Sequence, residues 1–200
     1  MKSLIVTGHL GFIGSAFCTL FGKDYRIIGV DYAGPGSMSE NLAPGIEDVR
    51  GDITDELAME GIVRRVKPAA IVNFAAETHV DRSIVGDLAF WQSNVLGARV
   101  LALEALKHGL RLVHVSTDEV YGDARESGSA WTEDSPIAPR NPYAVTKGAA
   151  ELMLRSYFRA HGLDVVITRG ANTIGPRQSV EKAVPKAVYC FVSGKPFPLS

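Results

Sequence analysis

Short apolar runs alternate with longer stretches of helical period along this chain, starting at its first residues, and that rhythm leaves few folds open. Ser3–Thr7, Arg26–Val30, Glu47–Arg50, Ala69–Ala75, Leu110–Ser116 and Asp164–Thr168 read as strands. Several are apolar at consecutive positions, as strands are when helices cover both faces of a parallel sheet. Helices are predicted over Phe12–Gly22, Asp55–Val66, Gly86–His108 and Tyr143–His161. Gly22, Gly109, Gly162 and Pro68 each follow a helical stretch, where stop signals belong. A βαβαβ rhythm carried through twice predicts an α/β fold, a doubly wound parallel sheet with right-handed crossovers. No internal repeat and no linker divides the chain.

Composition excludes other classes. With 200 residues, 46% of them apolar and 22% charged, the chain can bury a substantial core. A net charge of −1 argues against nucleic acid or an anionic membrane surface as the main partner. No apolar run approaches the roughly 18 residues of a spanning helix, and Met1-Lys2-Ser3-Leu4 enters a strand with no room for a signal peptide. Cys18 and Cys190 are too few for a disulfide scaffold, so a reduced, cytoplasmic domain is expected. The five histidines show no metal-ligand spacing, and no metal site is expected.

Gly8-His9-Leu10-Gly11-Phe12-Ile13-Gly14 joins the first strand to the first helix. Glycines at Gly8, Gly11 and Gly14 let backbone N–H groups approach a pyrophosphate, and the helix N-terminus adds partial positive charge. Asp31 ends the second strand about 20 residues on, where a carboxylate accepts from an adenosine-ribose diol and repels a 2′-phosphate. NAD is therefore expected over NADP, the alternative for Asp31 being a plain strand-end turn. Asp52-Ile53, after the third strand, either holds the adenine edge or caps the next helix.

Tyr143 and Lys147 share a helix face at i, i+4, and an ammonium beside a phenol favours the phenolate a general base needs. A surface pair is the plain reading of that spacing alone. The strand tip Ser116-Thr117-Asp118-Glu119 carries two adjacent carboxylates, suited to acid and base roles if their environments differ. Between Tyr121 and Pro142 runs a connection of about 20 residues, long enough to suggest a lid over a substrate, with a simple turn at Asp134-Ser135-Pro136 as the alternative.

Three segments carry a resemblance. Phe74-Ala75-Ala76-Glu77-Thr78-His79-Val80-Asp81-Arg82-Ser83, Ser116-Thr117-Asp118-Glu119-Val120-Tyr121-Gly122 and Arg140-Asn141-Pro142-Tyr143-Ala144-Val145-Thr146-Lys147 resemble signatures of the dTDP-glucose 4,6-dehydratases, in the extended short-chain dehydrogenase/reductase superfamily. The resemblance covers essentially the whole chain, and Thr117-Asp118-Glu119 discriminates best. It implies a Rossmann-like NAD domain over residues 1–176 and the start of a sugar-nucleotide region over 177–200, stopping before most of the small substrate domain. It also implies dehydration of a nucleoside-diphosphate hexose to the 4-keto-6-deoxy sugar. Tyr143, with Lys147 and Thr117, would take the C4 hydroxyl proton as hydride leaves C4. Glu119 would take the C5 proton, and Asp118 would protonate the departing C6 hydroxyl. Phe12, Ile13, Phe74, Ala75, Ala76, Thr78, Ser93 and Ser116 would join the glycine loop, Asp31, Asp52, Ile53, Tyr143 and Lys147 around the cofactor. Thr78, Thr117, Asn172 and Lys182 would approach the substrate.

The chain departs from that pattern at His9-Leu10, where Gly-Ala is commoner, and at Thr173 and Ile174 in Ala171-Asn172-Thr173-Ile174-Gly175-Pro176. The segment after Asp31 is short. Family members exceed 300 residues, so this chain is expected to hold NAD better than it turns over sugar. His79 is expected to be structural and Cys18 to sit in the core. Trp91, beside Phe90, fits core packing or a subunit interface, and the resemblance implies a homodimer through the Gly86–His108 and Tyr143–His161 helices. An epimerase or decarboxylase, or a catalytically silent NAD-binding module, are the competing readings.

Overall fold

A computed structural model describes residues 1–34, 36–123 and 130–198. Six parallel strands form one sheet: β1 (Ser3–Thr7), β2 (Arg26–Asp31), β3 (Glu47–Arg50), β4 (Ala70–Asn73), β5 (Arg111–Thr117) and β6 (Val165–Gly170). Their order is β3-β2-β1-β4-β5-β6, with Leu4 paired to both Ile27 and Ala70. The order reverses between β1 and β4, and in such sheets the crevice at the carboxyl ends of those strands is where ligands bind. The predicted doubly wound α/β sheet is therefore what the chain folds into.

Helices α1 (Phe12–Phe21), α2 (Glu56–Val66) and α3 (Val80–Val85) come first in chain order. Then α4 (Leu88–Phe90), a π-helical segment (Trp91–Gly97) and α5 (Ala98–His108) run on as one rod; α6 (Pro142–His161) and α7 (Ala183–Val192) complete the set among the described residues. Adjacent residues of β1 face opposite layers. Ile5 joins Ile28, Met59, Val63, Ile71, Leu101, Leu112 and Leu154 in the larger core, while Leu4 and Val6 pack with Cys18, Ile27 and Val72 beneath α1. This two-sided burial is why the strands are apolar at consecutive positions.

One expectation needs correction, and two features were not foreseen. The helix predicted over Gly86–His108 starts at Leu88 and contains the π segment, where buried Asn94 leaves the regular ladder to bond elsewhere. Between β2 and β3, where no helix was predicted, the described residues form a 3₁₀ turn at Ser39–Asn41, with Met38 N–H and Asn41 Nδ2 both donating to the Leu10 carbonyl. Helices α3 and α7 were not predicted. The first is six residues long, too short for a period to register, and the second carries Pro185 in its first turn, where proline is tolerated.

The lid expected between Tyr121 and Pro142 rests partly on residues 124–129, which lie outside the described residues. The following stretch is fastened to the body. Trp131 stacks on Tyr121 at 5.5 Å, Ala138 N–H donates to the Val120 carbonyl, and Arg169 donates to the Glu133 carbonyl at 3.0 Å.

Candidate active site

Two clusters lie at the carboxyl end of the sheet. The first surrounds the glycine loop. Gly8 has φ +72°, and a Cβ there would stand 2.6 Å from Ala75 N; one at Gly14 would stand 2.2 Å from the Gly8 carbonyl oxygen. Only glycine allows this close passage of β1 past Phe74-Ala75 and into α1. Gly11 precedes α1 without a side-chain cap, which leaves the first-turn N–H groups for an anion. A pyrophosphate fits such a cradle.

Asp31 is buried and shapes this loop as well as facing it. Its carboxylate accepts from Leu10 N–H at 3.2 Å, Ala33 N–H at 2.9 Å and the Ser37 hydroxyl at 2.7 Å. About four lone-pair directions are available on a carboxylate, so capacity remains for a sugar hydroxyl. His9 is also buried: its ring covers Gly29, where a Cβ would meet it at 2.3 Å, and its Nε2 lies 3.0 Å from Asp48 Oδ1. Phe12 packs against Gly175, and Arg177 reaches back to the Thr19 hydroxyl at 3.1 Å, so the chain after β6 returns to α1.

Asp52 is exposed and accepts from the N–H and hydroxyl of Thr54, both at 2.8 Å. It does not cap α2; Asp55 does, accepting from Ala58 N–H at 2.9 Å. Ile53 is spent in the core against Gly97, where a Cβ would stand 2.4 Å from Ile53 Cδ1. Ser93 is half-buried on the π segment, and Ile13 is exposed. Glu77 accepts from the Tyr32 hydroxyl at 3.1 Å; burial, with the Glu77 charge next, pushes that phenol up to about 12.

The second cluster forms where the 3₁₀ turn Asp118–Tyr121 leaves β5 and meets the start of α6. Thr117 caps the turn through Glu119 N–H and lies 3.4 Å from Asp118 Oδ1. Asn141 caps α6 from an extended conformation that the following Pro142 favours, and its Nδ2 donates to Glu119 Oε2 at 2.8 Å. Tyr143 N–H donates to the Ser83 hydroxyl, which ties α3 to α6, and the Phe90 ring meets Tyr143 edge-on at 6.5 Å. Phe90 is thus core, whereas Trp91 turns outward and donates to Asp87.

Electrostatics here differ from the simple Tyr–Lys expectation. Burial, then the charge of Glu119, push the Tyr143 phenol up to about 12, against the pull of a hydrogen bond with Thr117; Asp118 adds to the rise. The Lys147 ammonium donates to the Val115 carbonyl at 2.7 Å rather than to the phenol. Burial lowers Lys147 to about 8, with Glu151 one turn further along opposing the fall. His114, beneath it on β5, is kept well below the usual histidine range by burial and by Lys147.

Ser116, expected beside the cofactor, commits its hydroxyl to fully buried Glu151 at 2.5 Å. Lys182 reaches the Thr78 carbonyl at 3.4 Å, bringing two expected substrate residues together, while Asn172 is exposed beyond β6. His79 is structural: it caps α3 through Arg82 N–H and lies 3.5 Å from Glu181. Sequence reasoning missed Asn141, Asn94, Glu151 and Arg169 as builders of the site. Among the described residues no three His, Cys, Asp or Glu side chains gather as a metal site.

Comparison with known proteins supports one family. A dTDP-glucose 4,6-dehydratase of an Actinoplanes species is 44% identical over 98% of this chain and 64% of its own length. A double mutant of DesIV, the dTDP-glucose 4,6-dehydratase from Streptomyces venezuelae, with NAD and DAU bound, superposes with a TM-score of 0.90 at 41% identity, over 98% of this chain and 64% of that one. The UDP-glucose 4-epimerase of Thermus thermophilus, in complex with NAD, gives 0.87 at 30% identity over 97% and 64%. The chain thus spans somewhat under two thirds of these relatives' length. With a family model matching residues 4–200, the chain belongs to the NAD dependent epimerase/dehydratase family.

Proposed function

We propose that this chain carries the NAD-binding and catalytic portion of a nucleoside-diphosphate-hexose 4,6-dehydratase, acting on dTDP-glucose. One observation carries the reading: the turn bearing the adjacent carboxylates Asp118 and Glu119 is held against the start of the Tyr143 helix, Asn141 donating to Glu119 at 2.8 Å, so that both charges act on the Tyr143 phenol. An epimerase needs the phenol; a second pair of acid–base groups beside it suits the loss of water.

When bound, NAD supplies the acceptor and later the donor of the hydride at sugar C4 and C6. Gly8, Gly11 and Gly14 would cradle its pyrophosphate, and Asp31 would accept from the adenosine ribose. Tyr143, a neutral phenol in the free protein, would act as the phenolate, with the Lys147 ammonium one turn along α6 supplying positive charge that favours it; it would then take the C4 hydroxyl proton while Thr117 orients it. The C4 ketone so formed acidifies the C5 proton, which Glu119 takes. Asp118 gives a proton to the C6 hydroxyl, and the C6–O bond breaks to release water. The C5 proton and the C6 hydroxide make one molecule of water in this elimination; as hydride returns to C6, Glu119 would give a proton back to C5, so over the whole reaction the water lost is the C4 hydroxyl proton and the C6 hydroxide. Residues 1–176 would form the dinucleotide domain and 177–200 the start of the sugar-nucleotide region, with Thr78, Asn172 and Lys182 facing the substrate.

A homodimer fits the apolar side chains of Leu88, Trp91, Val145 and Leu152, all exposed on adjoining helices. Among the described residues no helix is long and apolar enough to cross a membrane, and both cysteines are free and buried. Free thiols suit a reducing, cytoplasmic compartment.

The test is product formation from dTDP-glucose, followed by the alkali-induced absorbance of a 4-keto sugar. Glu119→Gln is expected to lower that product about 10²–10⁴-fold while NADH absorbance still appears. A parent protein that leaves dTDP-glucose unchanged, or that inverts C4 of UDP-glucose instead, would overturn the assignment.

A further inference from the structure

We infer that Asn141 is a positioning residue for Glu119, one amide fixing both that carboxylate and the helix that carries Tyr143 and Lys147. The inference rests on Glu119 being the base at C5.

The amide is used at both ends. Its Oδ1 accepts from Ala144 N–H at 2.8 Å, and its Nδ2 donates to Glu119 Oε2 at 2.8 Å. Since Oδ1 faces an N–H, Nδ2 must face the carboxylate, so the two bonds agree on one orientation of the amide. Asn141 sits at φ −138° and ψ 159°, the extended conformation that a following proline enforces and an N-cap needs. Glu119 sits on the turn after β5, 22 residues earlier in the chain. The amide therefore sets the separation between that turn and the first turn of α6. Displacing a base by about 1 Å costs on the order of 10²-fold in rate, so a fixed separation matters.

Helix capping alone does not require asparagine. Serine, threonine and aspartate cap about as well, but ionised aspartate, the isostere, has no proton to give Glu119. Asp118 sits on the same turn as Glu119, and the charges of both act on the Tyr143 phenol of α6. The amide is a neutral donor among these groups, and a hydrogen bond to a carboxylate favours its charged form.

Titration of the Glu119 carboxyl, followed by carbon-13 NMR of glutamate-labelled protein, separates the two roles of Asn141. Asn141→Asp keeps the cap but sets a second carboxylate against Glu119, so its Tm should fall by a few degrees at pH 7 and recover as acid protonates one carboxyl of the pair. Its Glu119 should titrate about one pH unit or more higher, with a donor lost and a charge gained. Asn141→Ala should lose a few degrees of Tm with the cap, and raise the Glu119 midpoint by roughly half a unit. In turnover of dTDP-glucose, both variants should lower kcat about 10–100-fold with KM nearly unchanged, NADH formation outlasting dehydration. A Glu119 midpoint unmoved in both variants would overturn the inference, leaving Asn141 as a helix cap only. A parent that makes no keto sugar would instead remove the dehydratase reading, and the titration would still decide whether Asn141 governs Glu119.

Discussion

Burial moves Tyr143 and Lys147 in opposite directions, the phenol up to about 12 and the ammonium down to about 8. The lysine has a thermodynamic signature. Unfolded, it titrates at its ordinary 10.5, so below pH about 8 both states carry the proton and the native state bears the full penalty of an ammonium in a dry site. That penalty is about 3 kcal/mol, from roughly 2.5 pH units at 1.36 kcal/mol each. Between pH 8 and 10.5 the unfolded chain binds more proton than the native one, and native stability rises with pH by that route. Lys147→Met has no such dependence. Its Tm relative to the parent should therefore be most favourable at pH 7 and lose ground steadily towards pH 10. An equal difference at both pH values would show that burial does not depress Lys147. That Tyr143 and Lys147 share one helix was legible in sequence because i, i+4 spacing is local; that the ammonium bonds the Val115 carbonyl and not the phenol was not. Asn141 to Glu119, Tyr143 N–H to Ser83 and His9 over Gly29 were not, because each joins residues 20 or more apart that only the fold brings together.

At the scale of elements, the π segment shows where periodicity misleads. Apolar spacing from Leu88 to His108 reads as one helix, and in direction it is one. Its interior is remodelled by buried Asn94, which accepts from Glu77 N–H at 2.9 Å and donates to the Glu77 carbonyl and the Thr146 hydroxyl, both at 3.0 Å. A π-bulge re-aims a side chain that a regular helix would turn elsewhere. The segment after β4, which holds Ala75 and Ala76 near the glycine loop, is thereby linked to the helix that holds Lys147. Gly97, a few residues on, leaves room for Ile53. Asn94→Ala strips partners from three polar groups and should cost about 2–3 kcal/mol, or roughly 5–10 °C in Tm for a chain of this size. Thermal unfolding by circular dichroism measures it; a loss under 1 °C would mean that Glu77 and Thr146 find other partners unaided. Strands such as β1 and β4 were readable because their runs are continuous and apolar, whereas β3, Glu47-Asp48-Val49-Arg50, is mostly charged and was read from its place in the alternation. A single polar residue within a helix gives no hint that it is buried until its partners are placed.

Across the whole molecule, one buried ion pair gathers the pieces behind the site. Glu151 is fully buried on α6, and its carboxylate accepts from Ser116 on β5 and from Nε and a terminal nitrogen of Arg169 on β6, the latter two at 2.9 and 2.6 Å. The other terminal nitrogen of Arg169 donates to the Tyr121 hydroxyl at 2.7 Å and to the Glu133 carbonyl, and the guanidinium lies 4.7 Å from the Tyr121 ring centre. Two strands, α6, the Asp118–Tyr121 turn and the loop before α6 are thus linked through one guanidinium and its carboxylate partner. An ion pair of this kind holds its neighbours in register more than it adds stability, since the charges must first leave water. Arg169→Met removes the cation and leaves Glu151 ionised in the core, which should cost about 3–5 kcal/mol. The double variant Glu151→Leu, Arg169→Met removes the buried carboxylate too and should recover part of that loss, less the support that Glu151 gives the buried Lys147 ammonium, and the turn and the loop remain untied from β6. Urea unfolding should therefore place the double variant between the parent and the single variant. If the double variant is as unstable as the single, the cost lies in the lost bonds to Tyr121 and Glu133, and the buried charge is a minor part of it.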